Sequence, residues 1–163
     1  MDEEPNDTGK EKTSIKKKET SSKKKKKAVV EPRIMSMVAD ESDVVLIPGG
    51  GTKASGGGPG GHYWNIFHQG MKAGKVFINF INEEPLGEHA SLQIFLNKAS
   101  QGKHIGRYAY IKACEQSQYD KVFAYMSKKN VASIRAAAAA GFVEILTNAT
   151  RQVIMEWTRK KKE

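Results

Sequence analysis

The chain has 163 residues, with 27 Lys or Arg against 18 Asp or Glu and a formal charge of +9. Its hydrophobic share of 39% lies below the roughly 45–50% of ordinary globular chains. It carries one cysteine, Cys114, and no apolar run of the roughly 18 residues a membrane span needs, so an intrachain disulfide, a cysteine metal cluster and a spanning helix are excluded.

The basic excess is uneven. Residues 1–33 hold 11 basic and 7 acidic residues and few apolar ones; residues 34–163 hold 16 and 11. Lys16, Lys17 and Lys18 form one run of like charge and Lys23 to Lys27 another. Such runs repel themselves and bury nothing, which predicts a disordered tail over 1–33. Two readings of the tail stand side by side. One is a solubilising extension. The other is an arm for non-specific contact with nucleic-acid phosphates, or a nuclear localisation signal. No apolar signal segment opens the sequence, so the expected location is cytoplasmic, or nuclear in a eukaryote.

Residues 34–61 read as a short strand and a loop. Val44, Val45, Leu46 and Ile47 form a β-branched run stopped by Pro48. Residues 49–61 contain eight glycines and no apolar periodicity, which predicts a mobile loop. Its glycines lack the Gly-Lys-Ser/Thr ending of a nucleotide P-loop. Strands follow at 63–67, 75–81 and 91–96. Over 75–81, Val76, Ile78 and Phe80 alternate with Lys75, Phe77, Asn79 and Ile81, a pattern for a strand covered on both sides. Turns around Gly70 and Pro85 make these strands an antiparallel meander.

Residues 105–116 have helical spacing, with Ile105, Tyr108, Ala109, Lys112 and Ala113 as one stripe. A strand is expected at 121–126 and an alanine-rich helix at 133–140, stopped by Gly141. A hairpin over 142–145 and 152–157 closes the fold. The order predicts an α+β, or mixed α/β, domain over 62–158. The basic end 159–163 reads as a solvated terminus. Cys114, Trp64 and Trp157 read as packed side chains.

The informative segment runs from Leu92 to Arg107: a strand, a Gly-containing turn and a helix start. The first N–H groups of a helix lack internal partners and its dipole favours negative charge, so this junction suits a phosphate. Lys103 and Arg107 add positive charge, and pyrophosphate is the expected ligand class.

The pattern Gln101-x-x-His104-x-Gly106 resembles the Gln/Arg-x-x-Gly-x-Gly/Ala motif of the GNAT superfamily, the acetyl-CoA-dependent N-acetyltransferases. Leu96 stands five residues before Gln101, where that family ends its fourth strand. Asn130-x-x-Ser133-Ile134, with Gly141-Phe142 eleven and twelve residues after Asn130, is similar to a second family motif. The resemblance implies a mostly antiparallel twisted sheet flanked by helices. The first two helices are reduced or absent, because only a glycine loop separates the first two strands.

It further implies transfer of acetyl from acetyl-CoA to a primary amine of a protein or small molecule, by direct attack on the thioester and with no metal. The implied cofactor contacts are Phe95 and Leu96 on the fourth strand, Gln101, Gly102, Lys103, His104, Ile105, Gly106 and Arg107 at the turn, and Asn130. The family's usual tyrosine acid falls at Ala137. Tyr125, Tyr108 or water stands in for it, and Glu83 or Glu84 is the first choice of base. The alternative function is a degenerate GNAT-like binding module, tethered to nucleic acid or ribosome by the tail. The exposed sheet edge leaves room for a homodimer.

Overall fold

The structure, a computed structural model, describes residues 38–145 and 151–163. The predicted tail, its lysine runs and the link between the last two strands lie outside the described residues.

Among the described residues seven strands form one sheet in the order β1-β2-β3-β4-β5-β7-β6. They are β1 (Val44–Pro48), β2 (His62–His68), β3 (Met71–Glu83), β4 (Gly87–Leu96), β5 (Lys121–Ser127), β6 (Val143–Ile145) and β7 (Gln152–Thr158). Helix α1 (Ile105–Gln116) joins β4 to β5, and α2 (Val131–Ala139) joins β5 to β6. The expected meander is present: β1 to β4 pair antiparallel in sequence order. β5 pairs antiparallel with β7, which lies between β5 and β6. The one parallel contact is β4 with β5, at Ser91 opposite Phe123. Everything beyond that pair diverges, and the divergence makes the site.

Helix α1 covers the core face of the sheet. Ile105, Ala109, Ala113 and Cys114 are fully buried against Val44, Ile66, Val76, Ile78 and Leu92. Each large aliphatic side chain buried in this way stabilises the fold by about 1.5–3 kcal/mol. The inward stripe differs from the expected one. Tyr110 and Cys114 join it as fully packed residues, Tyr108 packs half-buried against the same core, and Lys112 leaves it. Lys112 reaches sideways, donating to the carbonyls of Glu41 (2.7 Å) and Val44 (2.5 Å). Tyr108 accepts from Arg107 (2.7 Å). Tyr110 meets Phe142 ring to ring at 5.3 Å.

Two further expectations are corrected. Phe80 is 46% exposed; double cover holds for Val76, Phe77 and Ile78 but ends before it, and Phe80 stacks on Tyr119 instead (5.8 Å). The glycine segment 49–61 is not a loose loop. Asn79 clamps it from β3, accepting from Gly56 N (2.7 Å) and donating to Ala54 O (2.8 Å). Tyr119 donates to Gly60 O (2.5 Å). A Cβ on Gly57 would come within 2.1 Å of Gly51 O. The glycines therefore serve close packing of the loop on itself rather than freedom. No helix lies between β1 and β2, and on the sheet face away from α1 Val45 and Ile47 are 48% and 47% exposed.

Trp64, Trp157 and Cys114 are buried as expected. Burial pushes the Cys114 thiol far up, and pushes the Tyr110 phenol up to about 12. Both groups are held neutral in the folded chain but ionise near 9 and 10 when unfolded. Their contribution is complete below those values and is lost as pH rises toward the folded ones. Unfolding free energy from urea titrations is expected to fall by about 4 kcal/mol between pH 8 and 11. Tyr110→Phe should flatten the part of that fall above pH 10. A flat profile in the native sequence would contradict this burial.

Candidate active site

After Ser91 and Phe123 the backbones of β4 and β5 part. Asn97 N–H bonds Ala73 O on β3 (2.8 Å). Backbone direction alternates along a strand, so Phe95 also turns toward β3, while Leu92, Ile94 and Leu96 turn toward the gap beside β5. Gln101 closes the end of that edge by donating to Leu96 O (3.3 Å).

Two cavities occupy the split. The first, about 780 Å³, is lined by β4 from Ser91 to Phe95, by Tyr125, Met126 and Ser127 of β5, and by Tyr110 of α1. Glu83, Glu84, Phe80 and Lys53 form its outer mouth. The second, about 770 Å³, lies between the starts of α1 and α2 and is lined by Leu96, Gln101, Gly102, His104, Ile105, Gly106, Arg107 and Arg135. Asn130 lines both, so the two cavities adjoin at the start of α2.

The cavity at the start of α1 suits an anion. No side chain caps the helix, which leaves its first amides facing the cavity. Its N-cap is His104, at φ 63° and ψ 12°. This left-handed conformation is uncommon for a side chain with a Cβ, though less so for histidine than for most residues. Arg107 and Arg135 add two positive charges. At α2 the cap is made: Asn130 Oδ1 accepts from Ser133 N (3.2 Å), and the helix begins at Val131, two residues earlier than its alanine pattern implies.

On the opposite side of the split, Tyr125 Oη lies 2.9 Å from His89 Nε2, and His89 Nδ1 lies 2.7 Å from Gly87 O. Burial and then the charge of Glu83 raise the Tyr125 phenol above its ordinary value. Among the described residues no three His, Cys, Asp or Glu side chains gather as a metal-binding group, and no helix is long and apolar enough to cross a membrane.

No protein-family model matches the chain, and no curated protein matches it in sequence. Solved structures do match. An aminoglycoside acetyltransferase in complex with coenzyme A and kanamycin superimposes with a TM-score of 0.51, at 17% identity, over 66% of this chain and 70% of that one. The complex with paromomycin and acetyl-CoA gives 0.51 and 17% over 66% and 68%. An acetyltransferase of Agrobacterium tumefaciens gives 0.50 and 16% over 61% and 62%. The chain has the GNAT acetyltransferase fold. It is a shortened version, with seven strands and two α-helices among the described residues.

Within this GNAT fold the structure gathers most of the sequence-derived candidates. Glu83, Glu84, Tyr125, Phe95 and Asn130 line the first cavity, and Leu96, Gln101, Gly102, His104, Ile105, Gly106 and Arg107 line the second. Lys103 lines neither; its carbonyl accepts from Ala39 N (2.9 Å). Tyr108 lines neither, and Ala137 is fully buried. Three residues were missed. His89 belongs to a polar period-two row with Ser91 and Gln93, a signal that the three share one face of β4. Arg135 shares a helical face with Ala132, Ala136 and Ala139, the face that meets the cavity. Tyr110 is hidden in a stripe that the sequence places one residue away.

Proposed function

We propose that the protein is an N-acetyltransferase, moving acetyl from acetyl-CoA to a primary amine. The observation that carries this reading is the pair of adjoining cavities at the split, one cationic and amide-lined at the start of α1 and the other carboxylate-lined. The pyrophosphate would lie on the amides of Ile105, Gly106 and Arg107, flanked by Gln101, Gly102, His104 and Arg135. Lys103 would add charge from outside the cavity. The pantetheine arm would run along the gap edge of β4, pairing with backbone at Ile94 and Leu96, with the Phe95 ring and the Asn130 amide beside it. A β4 amide turned into the gap would polarise the thioester carbonyl.

Glu83 and Glu84 would draw a cationic amine to the opposite mouth. The cation first gives one proton to a mouth carboxylate or to water; the neutral amine nitrogen then attacks the carbonyl carbon, the C–N bond forms and the C–S bond breaks. The amine proton ends on the thiolate sulfur. With no helix between β1 and β2, the acceptor side is open. The acidic mouth suits an amine on a bulky carrier, whether a lysine side chain, a chain terminus or an aminocyclitol of the kanamycin kind.

Calorimetric titration of acetyl-CoA into the full chain, followed by thiol release with a panel of amines and peptides, tests the reading. Binding in the micromolar range with turnover is expected. No heat at millimolar acetyl-CoA would end it.

A further inference from the structure

His89 is 5% exposed, two residues before the Ser91–Phe123 pair at which β4 and β5 part. A carbonyl oxygen only accepts, so the 2.7 Å contact with Gly87 O fixes the hydrogen on Nδ1. In the neutral ring Nε2 then has a lone pair, and the Tyr125 hydroxyl donates to it at 2.9 Å. The imidazole stands edge-on to Phe123 (5.4 Å, 82°) and tilted against Tyr125 (5.6 Å, 41°), which holds its plane. Opposite His89 on β3 is Ile81, and the charged group acting on Tyr125 is Glu83. Tyr125 alone of the two lines the cavity. A carbonyl, a buried imidazole and a phenol are thus in series, with the phenol at the open end.

Granting the acetyl-transfer reading, the geometry points to Tyr125 as the group that takes the proton from the acceptor amine, passing its own hydroxyl proton to His89 Nε2 as it does so. His89 touches no substrate; it is a positioning residue that gives Tyr125 somewhere to send a proton. As the C–N bond forms, the nitrogen's proton moves to Tyr125 Oη while the phenolic proton moves to Nε2. No free phenolate is needed, which matters because burial and Glu83 keep that phenol protonated. The imidazolium keeps Gly87 O as its acceptor.

When the C–S bond breaks, the reverse shift returns a proton through Tyr125 to the thiolate. An imidazolium is ordinarily a stronger acid than a thiol, so this return runs downhill. Tyr110, raised to about 12, is a poorer donor to a thiolate, and Ala137 has no proton to give. One couple on the acceptor side therefore serves both proton transfers.

The test uses the full chain, saturating acetyl-CoA, and two amine probes: kanamycin and a lysine peptide with a free N-terminus. His89→Gln offers Tyr125 an acceptor amide but no basic nitrogen, and Tyr125→Phe removes the relay hydroxyl. Each is expected to lower kcat about a hundredfold. KM for acetyl-CoA should stay unchanged, and the acid limb of the pH–rate profile should keep only the ionisation of the amine itself. The double variant should be no slower than either single one, because the two act as a unit. Wild-type kcat and pH profile in either variant would overturn the proposal; thermal unfolding and CoA affinity identify a variant that has simply misfolded.

A wild-type chain that binds acetyl-CoA but acetylates neither probe would count against the transfer reading on its own. The pair is then decided by nitrogen NMR of the imidazole. A fixed Nδ1–H tautomer whose Nε2 signal moves on Tyr125→Phe supports it. Exchanging tautomers, indifferent to Tyr125→Phe, overturn it.

Discussion

Gly106→Glu is expected to weaken coenzyme A binding about a hundredfold or more while leaving the chain folded. Gly106 is the second residue of α1. A Cβ there would sit 3.5 Å from Ala136 Cβ and 3.7 Å from Leu96 Cδ1, which is ordinary contact. A side chain therefore grows into the cavity between the two helix starts and the end of β4. A carboxylate in a helix's first turn complements the dipole, so the helix itself gains. The same carboxylate takes the amides and the charge of Arg107 and Arg135 that an anionic ligand would use. Repulsion at about 5 Å and an effective dielectric near 20 amounts to about 3 kcal/mol per charge pair, roughly a hundredfold in affinity. Gly106→Ala, which fits without displacement, should change affinity by no more than a few-fold. Calorimetry with coenzyme A on both variants, alongside their melting temperatures, reads the result. Native-like binding by Gly106→Glu would remove the pyrophosphate from this helix end.

The contrast between α1 and its neighbours explains how much of the site was legible in the sequence. The helix bounds 105–116 and the strand-turn-helix junction before them follow from local chemistry: an amphipathic repeat, a Gly turn and uncapped amides. The split between β4 and β5 is a property of two strands distant in sequence, and its first layer, His89 with Tyr125, joins residues 36 apart. A lone histidine in a strand gives no hint of the tyrosine across from it. Glycine abundance at 49–61 reads as freedom because composition cannot distinguish a loop without side chains from one packed too tightly to admit them. The clamp that decides the matter, Asn79, lies on a different strand. Which group stands in for the side chain missing at Ala137 depends on tertiary placement: Tyr108 and Tyr110, two residues apart, lie on different sides of α1, and only Tyr110 lines the first cavity.

Arg159 is the residue whose reading as part of a solvated terminus fails most plainly, and its removal is expected to be the most destabilising change outside the core. Its guanidinium Nη2 donates to Cys114 O (3.1 Å), Ser117 O (2.8 Å) and Tyr119 O (3.0 Å), and Nη1 donates to Glu115 O (3.3 Å). These carbonyls end α1 and start the turn toward β5, where the dipole favours a cation and intrahelical donors have run out. The group also lies 5.4 Å over the Trp157 ring and 3.4 Å from Asp120. The Asp120 carboxylate is 88% exposed, so that ion pair contributes little. In Arg159→Ala the carbonyl of Cys114 keeps the Ser117 hydroxyl (2.8 Å), whereas those of Ser117 and Tyr119 lose a charged donor. Each such loss costs about 1–3 kcal/mol and the losses are not additive, so about 2–3 kcal/mol is expected for the whole. Arg159→Lys keeps the charge but not the planar fork and should recover less than half of it. Urea unfolding of the three chains decides the point. A change below about 1 kcal/mol in Arg159→Ala would mean that water replaces the guanidinium at these carbonyls and that the turn into β5 holds without it.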